Sequence, residues 1–400
     1  MRSMVRWFLL ASLFSAPAWA FPWMVKHGYG SCAACHVDPS GSGQLTQYGR
    51  AQADVIVKWR TQPRPEDEEV PRSANFLWFL ELPEFLNLSG NFRYASMIRP
   101  GPTPFVPLLM ATDLYATLNL GPIVAHVTTG IGTYSTRAIL QSGPAAIAPV
   151  CDPSQGKACS VQWLAREFWL GAKIADEAVM IRVGRMNIPF GLRNNEHIAY
   201  VRNLTRTDIN VHQQVGASVS FNSDSVRGEA MAILGNYQIS PDIYRERGYS
   251  AFAEYALSNS AYLGLSSLIT SAGAELQTQA PTVRHAHGLF ARIAPNEKLA
   301  LLAEADFLAW QSPQVLDRIG FAALLQADLN LMQGLHVMAT AEAGHTGSGE
   351  PGPSVGGWLS GAWYFLPHME LRIDNIFRRR SNPGSSAFEY TLLVQLHFFL

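Results

Sequence analysis

Apolar and polar residues alternate along most of this chain, and turn-forming residues interrupt the alternation at regular intervals. The last segment shows it best. Tyr390, Leu392, Val394, Leu396, Phe398 and Leu400 alternate with Thr391, Gln395 and His397, while Leu393 and Phe399 break the polar side. Near the other end, Leu86, Leu88, Phe92, Tyr94 and Ile98 oppose Asn87, Ser89, Asn91 and Arg93. Between them, Leu299, Leu301, Ala303, Ala305 and Phe307 oppose Glu304 and Asp306, and Leu335, Val337, Ala339 and Ala341 oppose His336, Thr340 and Glu342. Met369, Leu371, Ile373 and Phe377 likewise oppose Glu370, Arg372, Asp374 and Arg378. A period of two puts each set on its own face of a sheet. Charge confined to one face suits a polar lumen on that side and lipid on the other.

The pattern predicts strands at 85–98, 106–120, 122–135, 160–174, 176–188, 212–222, 225–236, 247–258, 260–271, 280–294, 297–310, 316–330, 334–345, 354–366, 367–379 and 386–400, sixteen in all. Tight turns fall at Gly121-Pro122, Asp176, Ser223-Asp224, Ser258-Asn259, Pro295-Asn296, Gln333-Gly334 and Pro367. The intervening connections are mostly longer, the largest at 136–159 and 189–211. Short turns at one end, long loops at the other and an even count describe a bacterial outer-membrane barrel with both termini periplasmic. The expected fold is an all-β transmembrane barrel of about 16 antiparallel strands over 85–400, preceded by a small segment with short helices. A soluble sandwich or propeller is the competing fold, but neither calls for connections that alternate in length.

Composition agrees. Of 400 residues, 48% are hydrophobic and only 15% charged, where a soluble protein carries about a quarter. The net charge of −1 gives no sign of a nucleic-acid partner. No mature segment offers the ~20 uninterrupted apolar residues of a spanning helix, so any crossing must be by strands. Residues 1–20 read as a secretory signal peptide: Arg2 and Arg6, the apolar stretch Trp7 to Phe14, then Ala18-Trp19-Ala20 before a mature start at Phe21. The apolar stretch is too short for the alternative, a membrane anchor.

Candidate chemistry lies in the cysteines. Cys151 and Cys159 flank a polar, turn-rich stretch in a long outer loop, and after export they are expected to form a disulfide. Metal binding by that pair is the alternative, with no His beside it. The other pair stands in Cys32-Ala33-Ala34-Cys35-His36, the attachment signal of c-type haem. Two thiols reach the two vinyl groups of one macrocycle edge, and the next residue brings an imidazole beneath the iron. The competing reading is a redox dithiol followed by a chance His. One covalent haem c is therefore expected on Cys32 and Cys35, with His36 as the proximal iron ligand. The sixth ligand stays open: Met24 and His27 precede the motif, while Met97, His126, Met180, His336 and Met338 fall on the inward phase of strands. A register slip of one would turn those five to lipid. His285 and His287 share one face, without further ligands in view.

After the motif, Pro39-Ser40-Gly41-Ser42-Gly43 predicts a turn, and Leu45 to Trp59 a short helical stretch. Tyr48 and Arg50 are candidates for the haem propionates, since Arg binds carboxylates bidentately; surface solvation of the Arg and packing of the Tyr are the alternative. The haem segment spans 21–60, and the Pro-rich acidic stretch 61–84 reads as a linker. Forty residues make a small core, so the segment is expected to borrow a wall from the barrel. Lumen-facing Glu304, Asp306, Glu342, Glu370 and Asp374 could line a cation path, or simply pair with Arg372 and Arg378.

An exported N-terminus with Cys32-Ala33-Ala34-Cys35-His36, Pro39, Leu45 and Tyr48-Gly49-Arg50, ahead of a barrel, resembles the fused outer-membrane cytochrome–porins, a family that includes monohaem iron(II) oxidases. The Gly/Ser-rich stretch after Pro39 departs from that pattern, and no distal ligand maps across. The resemblance implies an electron conduit in the bacterial outer membrane, with the haem segment on the periplasmic side or inside the lumen. Its partners would be an extracellular electron donor or acceptor, a periplasmic electron carrier and outer-membrane lipid, and it would count as an oxidoreductase of the extracellular iron(II)-oxidase type. The other readings are a solute porin with a haem-bearing gate or sensor segment, and a haem-bearing interaction protein without steady electron flux.

Overall fold

The computed structural model describes residues 22–62, 74–101, 104–132, 162–194, 196, 198–239, 241–275, 278–347, 352–382 and 385–400. The signal peptide and the Cys151–Cys159 pair lie outside the described residues. Sixteen strands follow one another: β1 (Leu86–Ile98), β2 (Phe105–Leu120), β3 (Ile123–Gly132), β4 (Gln162–Ile174), β5 (Val179–Met186), β6 (Gln214–Asn222), β7 (Val226–Gly235), β8 (Arg247–Ser258), β9 (Ala261–Ala272), β10 (Thr282–Asn296), β11 (Leu299–Gln311), β12 (Arg318–Met332), β13 (Leu335–His345), β14 (Ser354–Leu366), β15 (Met369–Asn382) and β16 (Ser385–Phe399). Each pairs antiparallel with its chain neighbours, and β1 closes on β16 from Asn91↔Phe399 to Ile98↔Leu392. The predicted count holds, and predicted strand ends fall within about three residues of those observed.

The alternation now has a physical assignment. Leu114, Trp163, Leu170, Leu265, Leu289 and Leu325 point outward and are more than half exposed, which gives the barrel its lipid-facing band. Glu229, Glu254, Glu304, Asp328, Arg182 and Arg292 point inward and are almost fully buried. Inward charges are buried only because the lumen is filled.

It is filled from both ends. At the short-turn end, residues 22–60 fold inside the wall. A tight turn at Pro22–His27 packs Trp23, Met24 and Val25 against Ala294, Ala300, Met338 and Tyr364, and Lys26 Nζ sits 2.6 Å from Asp328 Oδ1. The stretch predicted as helical forms α1 (Gln47–Gln52) and a wider turn at Ala53–Val57. Backbone bonds then tie its exit to the wall: Trp59 N donates to Tyr364 O at 2.7 Å, and Arg60 N to Gln333 O at 3.3 Å.

From the long-loop end, the β5–β6 connection turns inward. The sequence suggested an outer loop there; instead Phe190, Leu192 and Val201 are buried in apolar clusters with the barrel wall. Short helix α2 (Tyr200–Asn203) carries Arg202, which forms an ion pair with Glu304 and donates to Phe190 O. Glu342 accepts from Tyr200 N at 3.0 Å, and Arg206 pairs with both Glu246 and Glu275. Gly191 is required here: its φ is +56°, and a Cβ would collide with the Glu304 carboxylate.

Two outcomes follow. Detergent-extracted protein should migrate faster on a gel unheated than boiled; identical mobility would exclude the closed barrel. Glu304→Ala strands Arg202 as a buried unpaired charge, a loss of about 3–5 kcal/mol. The compact unheated form of that variant should therefore be lost at a lower temperature than in the parent.

Candidate functional site

The Cys-x-x-Cys-His motif forms one tight turn inside the lumen. Cys35 N and His36 N both donate to Cys32 O, at 3.2 and 2.9 Å, which sets two thiols and one imidazole on a single turn of chain. A small hairpin follows. His36 bridges Leu45, Val37 N donates to Gln44 O, and Thr46 N to Cys35 O. Its tip is the Pro/Gly/Ser run, where Gly41, Ser42 and Gly43 all take positive φ. Thr46 Oγ1 accepts from Gly49 N and so caps α1. Gly49 lies directly on the Cys35 carbonyl, where any side chain would overlap. The Tyr48-Gly49-Arg50 run thus has a local reason: α1 presses on the motif through its glycine.

Paired polar groups fix this unit to the wall. Asp38 accepts from Ser40 N and Oγ, lies 3.2 Å from Arg182 Nη1, and accepts from Asn187 Nδ2 at 3.3 Å. Burial alone would raise the Asp38 pKa, but Arg182, Arg193 and Ser40 together hold it below the ordinary carboxylate range. Gln44 donates to Asn87 O while Asn87 donates back to Leu45 O, both at 2.9 Å. Arg227 donates to the Cys32 sulfur at 2.8 Å, and Arg292 to Gly30 O. Both arginines share Glu254.

Cys32 and Cys35 are free thiols, 5% and 3% exposed. Burial, with Cys32 next to it, pushes the Cys35 thiol up to about 12. A redox dithiol works through an accessible sulfur, and both thiols are buried.

His36 opens on two cavities. One, of about 320 Å³, lies toward the short-turn end and is lined by His36, Val37, Thr46, Arg50, Val124 and Met180 among others. Its volume is within the range of cofactor sites. The other, about 120 Å³, runs up the lumen past Arg93, Asp113, Glu167 and Arg193. Arg50 is buried and donates through Nη1 to Leu88 O, yet its Nε has no partner. All three guanidinium nitrogens of Arg193 are also buried without a hydrogen bond. Buried arginines with unmatched donors suit carboxylates. Arg50 borders the larger cavity and Arg193 the smaller, while Cys32 and Cys35 line neither; the spacing of the motif and the place of His36 on the larger cavity are what suit a covalent haem there.

The remaining predicted residues separate. Tyr48 is exposed and hydrogen-bonds Tyr29, away from either cavity. Both nitrogens of His126 are engaged, by Thr117 and Thr128. His336 lies against Asp328, Trp23 and Tyr364, with Met338 in the same cluster around Trp23. Met97 packs on Ala95, Met110 and Leu393. Met24 is buried among Trp23 and Val25, and burial brings the neighbouring His27 down to about 4. His285 and His287 face outward, their rings 6.0 Å apart; among the described residues no cluster of three His, Cys, Asp or Glu could hold a metal. Of the lumen acids, Glu304, Glu342, Glu370 and Asp374 pair with Arg202, Arg378, His397 and Arg372, and only Asp306 has neither oxygen bonded. Four of five are structural pairs rather than an open cation path. Sequence reasoning missed Arg227 on β7, and Arg193 and Arg202, whose one signal was the apolar run Ile188-Pro189-Phe190 at the start of a connection expected to be an outer loop.

No known family profile matches the chain, and no curated protein is similar to it in sequence. Solved structures are similar in fold. OmpT, an outer membrane protein of Vibrio cholerae, superposes with a TM-score of 0.58 at 8% identity, over 79% of this chain and 99% of its own. The outer membrane channel DcaP of Acinetobacter baumannii gives 0.57 at 10% identity, over 79% and 97%. The anion-selective porin from Comamonas acidovorans gives 0.57 at 11%, over 79% and 99%. The chain shares the closed-barrel fold of these outer-membrane porins.

Proposed function

We propose that this chain is a porin-type barrel whose lumen is given over to a haem-bearing segment, so that it passes electrons rather than solutes across the outer membrane. One observation carries the reading: the Cys-x-x-Cys-His turn sits inside the wall, with a cofactor-sized cavity opening on His36. Cys32 and Cys35 would anchor one haem c, His36 would ligate its iron, and Arg50 would meet a propionate. Bound there, haem supplies reversible one-electron chemistry. The chain's own part is to exclude water, fix the ligand and hold the site within a cylinder that bridges two compartments. A donor too insoluble or too large to cross, such as extracellular Fe(II), would deliver electrons at the loop side, and a periplasmic carrier would collect them at the short-turn side.

The second reading is a solute porin in which residues 22–60 act as a gate. The comparisons favour it over the conduit, since two of the similar structures are described as a channel and a porin. The packing of the segment favours the conduit. Trp23, Met24 and Val25 are almost fully buried against the wall, and Lys26, Asp38, Gln44 and Arg50 all bond to barrel groups. Gate opening would have to break these together.

Purified protein in liposomes separates the two. The conduit predicts that external Fe(II) reduces the haem and that an enclosed acceptor reoxidises it, with little ionic conductance. Cys35→Ala should lower covalent haem staining, and His36→Ala should abolish transfer. Large single-channel conductance in the parent, unchanged in His36→Ala, would establish the porin instead.

A further inference from the structure

We infer that Met180 would supply a thioether ligand to a haem iron that His36 ligates. This assignment rests on the haem reading above and supplies what that reading leaves open.

Three observations converge on Met180. It lines the same cavity as His36, and Val37, the residue after His36, packs on the apolar cluster that contains Met180, Met186 and Met231; of these three methionines Met180 alone lines that cavity. Met180 stands at the second residue of β5, close to the short-turn end where the motif sits. Gly171, on the adjacent strand, leaves room for it: a Cβ there would come 2.9 Å from the Met180 methyl carbon. The thioether is therefore inward, buried and on the cavity that His36 also lines.

The alternatives fail on position or on prior engagement. His126 has both ring nitrogens bonded to threonines. His397 is held likewise, between Glu370 and Asn91. Met338 and His336 lie around Trp23, lining a cavity that His36 does not reach. Met97 stands nine residues beyond Leu88 on β1, about 30 Å further along the strand. Met110 shares the narrow second cavity with His36, but it lies seven residues beyond Thr117 on β2, about 23 Å of rise. Thr117 is at the level of the motif, since its neighbour across the sheet is Asn87, which bonds Leu45.

Thioether ligation raises a haem potential relative to bis-imidazole ligation. An outer-membrane protein oxidising a donor of fairly high potential would use that bias. Met180 would thus belong to the barrel while setting the electronics of a group carried by the plug. Neither part would form the complete site alone.

The test is spectroscopic and uses the full-length purified protein. Covalent haem staining of the parent comes first; a blank gel removes the haem reading and this assignment with it. Where the parent stains, its oxidised spectrum should show the weak far-red charge-transfer band of methionine–iron ligation. Met180→Leu, close in volume, should still stain but lose that band. Met180→His should restore a low-spin, six-coordinate spectrum with a reduction potential below that of the parent, so that poor folding of the leucine variant does not decide the matter. Met97→Leu, Met110→Leu and Met338→Leu should keep the band. Retention of the band in Met180→Leu, or its loss in Met110→Leu alone, would overturn the assignment while leaving the haem itself in place.

Discussion

A chain that crosses hydrocarbon in strands must bond every backbone N–H and C=O within itself, so the sheet has to close. The rest of this structure follows from that closure. Pairing β1 with β16 removes both edges and forces one residue in two to face inward. The inward residues here include many arginines and carboxylates. Left in a dry lumen these would be unstable, and left in a wet one they would line a pore. The chain does neither: it fills the lumen with more of itself and, among the described residues, pairs many of these charges, with Arg193 and Asp306 the exceptions.

Buried ion pairs are weak evidence for net stability, because desolvation offsets much of their attraction. They are good evidence for a fixed arrangement, since a displaced partner leaves an isolated charge. Asp38 illustrates the point. It binds the hairpin tip through Ser40, the wall through Arg182, and the start of the inserted loop through Asn187. Plug, wall and loop therefore meet at one carboxylate. That is why residues 22–60 behave as part of the barrel rather than as a tethered domain, and why solute passage and electron passage make such different demands on the same architecture.

The barrel was legible in sequence because period-two patterning and turn residues are local signals. Even the interruptions have reasons. Leu393 breaks the polar face of β16 because it packs inward on Ala95 and Met110, and Phe399 meets His368 edge to face and His397 at a tilt. The Cys-x-x-Cys-His turn was legible because five consecutive residues carry it. What fills the lumen was not. Lys26 meets Asp328 across 302 residues, and Arg202 meets Glu304 across 102, separations that no local pattern encodes. The inserted loop read as an outer connection because its length matched the long-loop end, and the carboxylates that meet its arginines lie far off in sequence. Tyr48 and Arg50 looked equivalent in sequence, yet one faces out to Tyr29 and the other into the cavity.

The depth of the two thiols sets the order of biogenesis. Cys32 and Cys35 are enclosed by wall, hairpin and loop once the cylinder is shut, and no ligating enzyme could reach their sulfurs from either side. Any group joined to them must be joined while the chain is still open, before insertion into the bilayer. On the haem reading, a barrel assembled without the group would remain without it.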